Sequence, residues 1–185
     1  MLFKPKNIQD IAKKIKNNEI GIFPFDTLFG ICGLIQTKEK INNLKQKPPQ
    51  TELITIIPNT SYLKQFITPL TKKQKKIIDH YWPGPITFVF KKKDTKKNNE
   101  TIAIRYPEFL PLNYLLNILK APILSTSANL HKSPTATTII NKKLEEKCDF
   151  CYKEIAPLYQ SPSTIVDITN KTPKILRKGA TSFEY

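Results

Sequence analysis

Residues 101–129 read TIAIRYPEFLPLNYLLNILKAPILSTSAN, and this stretch decides the fold. Its opening run, 101–106, is short, apolar and β-branched, which reads as a strand. Residues 111–119 read as a helix and 122–125 as a second strand. Strand, helix and strand in close succession point to an α/β architecture. The last strand leads into Ser125-Thr126-Ser127-Ala128-Asn129, a dense cluster of hydroxyl and amide groups. Ligands in open α/β sheets bind beyond the carboxyl ends of strands. A neutral donor and acceptor cluster there suits phosphate oxygens or an adenine edge. The competing reading is a polar turn whose side chains satisfy their own backbone.

The alternation continues on both sides. Upstream, Asn7 is placed to cap a helix whose Ile8, Ile11, Ala12 and Ile15 share one face. Gly21 is expected just past its end. Strands are predicted at 20–25, 28–35 and 53–57, the last buried on both faces. A helix at 38–47 is stopped by Pro48-Pro49. Thr71 and Gln74 form a capping box for a helix through Ile77, Ile78 and Tyr81. Trp82-Pro83-Gly84-Pro85 makes a rigid turn before a strand at 86–90. A lysine-rich loop fills 91–99. Downstream, a helix is predicted at 138–146 and strands at 164–168 and 174–177. No internal repeat or linker divides the chain, so residues 1–185 read as one domain: a twisted mixed sheet flanked by helices.

Composition narrows the function. The 185 residues carry 30 Lys and Arg against 15 Asp and Glu, a net charge of +15. That excess suits a polyanionic partner, although abundant lysine, asparagine and isoleucine also arise from compositional bias. No apolar run approaches the roughly 20 residues of a membrane span, and the N-terminus has no signal-peptide core. An odd count of three cysteines points to reduced thiols and a cytoplasmic protein. Cys148 and Cys151 have C-x-x-C spacing, but with no second pair, and only His80 and His131 as histidines, they predict no metal site. No nucleophile elbow or glycine-rich phosphate loop is present.

The basic residues that stand out are Lys45, Lys47, Arg105 and Arg177. Lys45 and Lys47 sit near a helix end, where they can converge on a triphosphate or form a solvated basic face favoured by the helix dipole. Arg105 and Arg177, the only arginines, each close a strand. A planar guanidinium fork holds a carboxylate or phosphate bidentately, or makes a structural salt bridge.

Seven segments in register resemble the YrdC family of threonylcarbamoyl-AMP synthases. They are Pro24-Phe25-Asp26-Thr27-Leu28-Phe29-Gly30, Leu44-Lys45-Gln46-Lys47-Pro48, and Trp82-Pro83-Gly84-Pro85-Ile86-Thr87. Ile102-Ala103-Ile104-Arg105-Tyr106-Pro107 and the Ser125–Ser127–Asn129 cluster follow, and Ser163-Thr164-Ile165-Val166-Asp167 and Ile175-Leu176-Arg177-Lys178-Gly179-Ala180 close the series. The resemblance implies a YrdC-like fold with a concave basic cavity. It also implies a nucleotidyltransferase that joins L-threonine, bicarbonate and ATP into threonylcarbamoyl-AMP and pyrophosphate, with other proteins passing the threonylcarbamoyl group to tRNA beside the anticodon. ATP enters as a substrate with Mg²⁺, with no tightly bound cofactor. By resemblance Lys45, Lys47 and Arg105 are the catalytic set. Lys47, Thr51, Thr101, Ser127, Asn129, Thr135 and Arg177 lie on the ATP side, and Phe25, Arg105, Ser125 and Ser163 on the threonine side.

Four departures from the family pattern fall at the site. Phe25 replaces a threonine, Lys47 an arginine, Thr51 a lysine or asparagine, and His131-Lys132 a Ser-Gly pair. The alternative they raise is a non-catalytic protein of the same fold that binds double-stranded RNA or tRNA. Against it, the loop 91–97 interleaves no aromatics for base stacking.

Overall fold

A computed structural model describes residues 5–95, 100–129 and 140–185. Among them, nine strands form one sheet in the order β7-β1-β2-β6-β3-β5-β4-β8-β9. In chain order the elements are α1 (Pro5–Lys16), β1 (Gly21–Pro24), β2 (Phe29–Leu34), α2 (Lys38–Leu44), β3 (Ile54–Ile56), α3 (Lys72–Tyr81), β4 (Ile86–Lys91) and β5 (Thr101–Arg105). They continue with α4 (Leu110–Leu119), β6 (Ile123–Ser127), α5 (Lys142–Glu145), β7 (Phe150–Cys151), β8 (Thr164–Asp167) and β9 (Lys174–Arg177).

The central strand is β3, parallel to β5 and antiparallel to β6. The strands of 101–129 therefore flank β3 in opposite directions, and the sheet is mixed. The capping box at Thr71 and Gln74 forms as expected. Three local readings are corrected. Asn7 lies inside α1 rather than capping it, and its Nδ2 donates to Glu154 Oε1 at 2.9 Å. The left-handed residue after α1 is Asn18, with φ 62°. Gly21 instead starts β1, where a Cβ would lie 2.3 Å from the Phe150 carbonyl oxygen on paired β7. Finally, Ser125–Ser127 belong to β6 and pair with Cys32–Gly30 of β2, so most of this cluster is strand and only its end, at Ala128 and Asn129, turns back on itself.

Period-2 alternation sorts the core onto two faces. On one face Ile8, Ile11, Ile15, Leu112, Leu115 and Leu116 of α1 and α4 pack on Phe23, Cys32, Ile56 and Ile123. On the other, Ile41 of α2 and Leu144 of α5 cover Ile20, Ile22, Ile31 and Leu124. Farther along that second face, Ile77 and Ile78 of α3 cover Ile86, Phe88, Phe90 and Ile104. Burying each such aliphatic or aromatic side chain stabilises the fold by about 1.5–3 kcal/mol. Helices thus line the second face along its length. On the first face, the described helices cover only the β1-β2-β6-β3 half. The site occupies the boundary between the covered and uncovered halves.

Candidate functional site

A cavity of about 410 Å³ lies on the first face, beside the α1–α4 layer. Its lining includes Phe25, Lys47, Arg105, Ser125, Ser127, Ser163 and Arg177, all singled out from the sequence. Strand register explains how residues so far apart converge. Arg177 pairs with Ile165 and Ile165 with Thr87. The β4–β5 register sets Thr87 opposite Arg105, and Arg105 pairs with Ile56. These positions form one row across the sheet, on the first face, running from its covered half at Ile56 into its uncovered half.

Arg105 is 3% exposed. Its Nη2 donates to Asp26 Oδ1 at 2.6 Å and its Nη1 to Thr27 Oγ1 at 2.9 Å. Arg105 thus makes the buried salt bridge and also lines the cavity. The Asp26 contact fixes the guanidinium plane. Burial pushes the Asp26 carboxyl above its ordinary value, with Arg105 pulling the other way, and burial also lowers Arg105.

Arg177 reaches the cavity from the edge strand. Its Nε and Nη2 both donate to the Ser163 carbonyl, at 3.1 and 2.8 Å, and Nη2 also to Ser163 Oγ at 3.1 Å. Partial burial and the charge of Arg105 lower its pKa. Ser163 Oγ also shares a hydrogen bond of 2.8 Å with buried Thr87 Oγ1. Phe25 is 2% exposed, and Arg105 Cζ sits 5.7 Å from its ring centroid, within cation–π range. The ring fits because position 30 is glycine. A Cβ there would lie 2.6 Å from Phe25 Cε2 and 2.7 Å from Ser125 Oγ.

Lys45 does not line the cavity. Its ammonium donates to the carbonyls of Ser127, at 3.0 Å, and Asn129, and to Asn129 Oδ1 at 2.7 Å. Asn129 Oδ1 also accepts from Ser127 Oγ at 2.7 Å. Asn129, expected on the ATP side, is thus absent from the lining, and two more expected nucleotide residues stand apart. Thr51 is absent from the lining, and its carbonyl accepts from Asn42 Nδ2. Thr101 is exposed at the opposite end of β5 from Arg105. Thr135 and His131-Lys132 lie outside the described residues.

Asp26, Thr27 and Thr87 were not singled out, although all three lie within the quoted motifs. Their signal was the motif, since nothing in a one-dimensional reading pairs Asp26 with Arg105. Glu52, the one carboxylate among the lining residues, was also missed, and it forms a 2.7 Å ion pair with Lys38. The lining contains no His or Cys. Among the described residues no three His, Cys, Asp or Glu side chains gather as a metal site, and no helix is long and apolar enough to cross a membrane. Three cationic groups and several hydroxyls around one cavity can hold carboxylate and phosphate oxygens and neutralise developing charge.

A family model described as telomere recombination, covering Sua5, YciO and YrdC, matches residues 13–179. The chain is 34% identical to a threonylcarbamoyl-AMP synthase of Wigglesworthia glossinidia brevipalpis, over 95% of each chain. It is 27% identical to one from Vibrio campbellii, over 94% of this chain and all of that one. In fold it resembles P. abyssi Sua5 complexed with L-threonine, with a TM-score of 0.85 and 22% identity, covering 97% of this chain. It spans only 56%, about half, of that Sua5 chain. E. coli YciO superposes with a TM-score of 0.82 at 23% identity, covering 95% of this chain and 90% of that one.

Proposed function

The chain belongs to the Sua5, YciO and YrdC family, and on that premise we propose that it is a threonylcarbamoyl-AMP synthase. The observation that carries this reading is the convergence of Arg105, Arg177, Lys47, Ser125, Ser127 and Ser163 on one cavity. In the reaction the threonine amine attacks the carbon of CO₂, formed from bicarbonate by loss of water, and gives up a proton to solvent to leave a carbamate. A carbamate oxygen then attacks the α-phosphorus of ATP, and the bond to the β-phosphate oxygen breaks to release pyrophosphate. The nucleophiles belong to the substrates, so the protein's work is orientation and charge neutralisation.

In this reading Arg105 holds the threonine carboxylate with N–H groups not used by Asp26 and Thr27. Ser125 and Ser163 flank it. Lys47, Arg177 and Ser127 meet the phosphates. Mg²⁺ arrives on ATP, where it neutralises phosphate charge. The product then passes to proteins that modify tRNA. The test is pyrophosphate release from ATP and bicarbonate, with and without L-threonine. Threonine-dependent release supports the assignment. No release with all three substrates overturns it, and selective tRNA binding by that inactive protein would favour the RNA-binding alternative.

A further inference from the structure

We infer that Lys45 is a positioning residue: its ammonium clamps the carboxyl end of β6 and so fixes the Ser127 hydroxyl at the cavity wall, instead of binding phosphate itself. This rests on the proposed ATP site and names a device that holds it in shape. The geometry is complete in itself. An ammonium has three N–H donors, and those of Lys45 go to the Ser127 carbonyl, the Asn129 carbonyl and Asn129 Oδ1. The residue is 3% exposed. It leaves the C-terminus of α2 on the second face and crosses to residues 82 and 84 positions away.

Asn129 Oδ1 accepts from both Lys45 and Ser127 Oγ, so the lysine orients the hydroxyl through the amide. The segment is closed by Ala128 N–H to the Phe29 carbonyl at 2.8 Å and Asn129 N–H to the Ser127 carbonyl at 3.0 Å. A phosphate could reach Lys45 only by displacing one of its three acceptors. Burial and the neighbouring Lys47 push the Lys45 pKa down to about 8. The other groups it touches are carbonyl oxygens and the neutral Asn129 amide. Deprotonation takes away one donor and the charge, so the clamp weakens as pH rises through that value.

The test compares Lys45→Met with wild type by amide hydrogen exchange in the ligand-free protein and by calorimetric titration with MgATP. Positioning requires faster exchange at Ala128 and Asn129, by about tenfold, together with an ATP dissociation constant raised about tenfold. Weaker ATP binding with unchanged exchange means direct phosphate contact and overturns the inference. Faster exchange with unchanged ATP affinity overturns it too, because the clamp would then serve only the fold. So does no change in either.

Should Lys45→Met fail to fold, Asn129→Asp gives an independent readout. A carboxylate beside the ammonium raises its pKa, so in the ligand-free protein the pH above which the amides of Ala128 and residue 129 lose protection must move upward, and an unmoved midpoint refutes the clamp. Wild type that binds no ATP would sink the proposed function, while the exchange comparison would still report on the clamp.

Discussion

Replacing Phe25 by threonine restores the side chain the family pattern carries at the wall of the cavity. The ring is 2% exposed and belongs to the core cluster beneath α1 and α4. Removing it forfeits apolar burial and leaves a void, a change that costs about 3–5 kcal/mol for Phe→Ala. Threonine returns part of that volume, at the cost of bringing a hydroxyl into the apolar pocket the ring filled, about 1–3 kcal/mol until it is paired. The contact of the ring with Arg105 adds up to about 1–2 kcal/mol. A net loss of about 4 kcal/mol lowers Tm by roughly 8–16 °C in a protein of this size.

The same change places a hydroxyl beside Arg105 and Ser125, where the amino acid is proposed to bind. A site that pairs with the substrate hydroxyl rejects an analogue lacking it, because buried polar groups are left unpaired. Preference for threonine over valine should then rise by at least about tenfold. The assay is pyrophosphate release with threonine, serine and valine at matched concentrations, alongside thermal melts. Phe25→Leu, which keeps most of the packing, should lose only about 1–2 kcal/mol and leave the ranking alone. A Tm within about 2 °C of wild type for Phe25→Thr would refute the packing argument. A large fall in Tm with an unchanged ranking would show that the ring packs the core without bordering the amino acid.

Asp26→Asn leaves the Arg105 guanidinium buried without its counter-charge, so stability should fall by about 3–5 kcal/mol in urea unfolding, and threonine-dependent turnover should fall with it. Arg177→Ala should weaken MgATP binding by more than about tenfold in calorimetry. Lys93→Ala, outside the cavity lining, should stay within about twofold, and equal effects would reveal diffuse electrostatics. Thr101→Ala should leave ATP affinity unchanged, because Thr101 is exposed at the far end of β5. The pH dependence of stability carries the signature of Lys45, whose folded pKa is depressed to about 8 from 10.5. Between those values the unfolded chain binds a proton that the folded chain does not. Relief of the buried charge outweighs the weakened clamp, so folding stability grows as pH rises through this window and is lost as pH falls through about 8. Urea midpoints from pH 7 to 10 should show that slope in wild type and lose it in Lys45→Met.

The amino-acid sequence alone determined most of the element list, because short-range signals carry it. Alternating apolar residues mark the strands, the Ile8, Ile11, Ala12 and Ile15 stripe marks α1, and Thr71 with Gln74 marks the start of α3. The two arginines and the serines were also legible, since a scarce residue type and a dense hydroxyl run stand out without neighbours. Tertiary structure decided the rest. Only strand order, with β5, β4, β8 and β9 side by side, brings Arg105 into line with Thr87 and Arg177. Only through-space contact reveals that Asp26 neutralises Arg105, 79 residues away, and that Lys45 turns from the cavity to hold Asn129. Thr101 shows the converse: the resemblance placed it with the nucleotide, but a strand that rises about 3.3 Å per residue carries it to the end of β5 away from Arg105. Local patterns encode conformation and burial. Which charges meet is set by the long-range pairing of the sheet, which periodicity along the chain does not record.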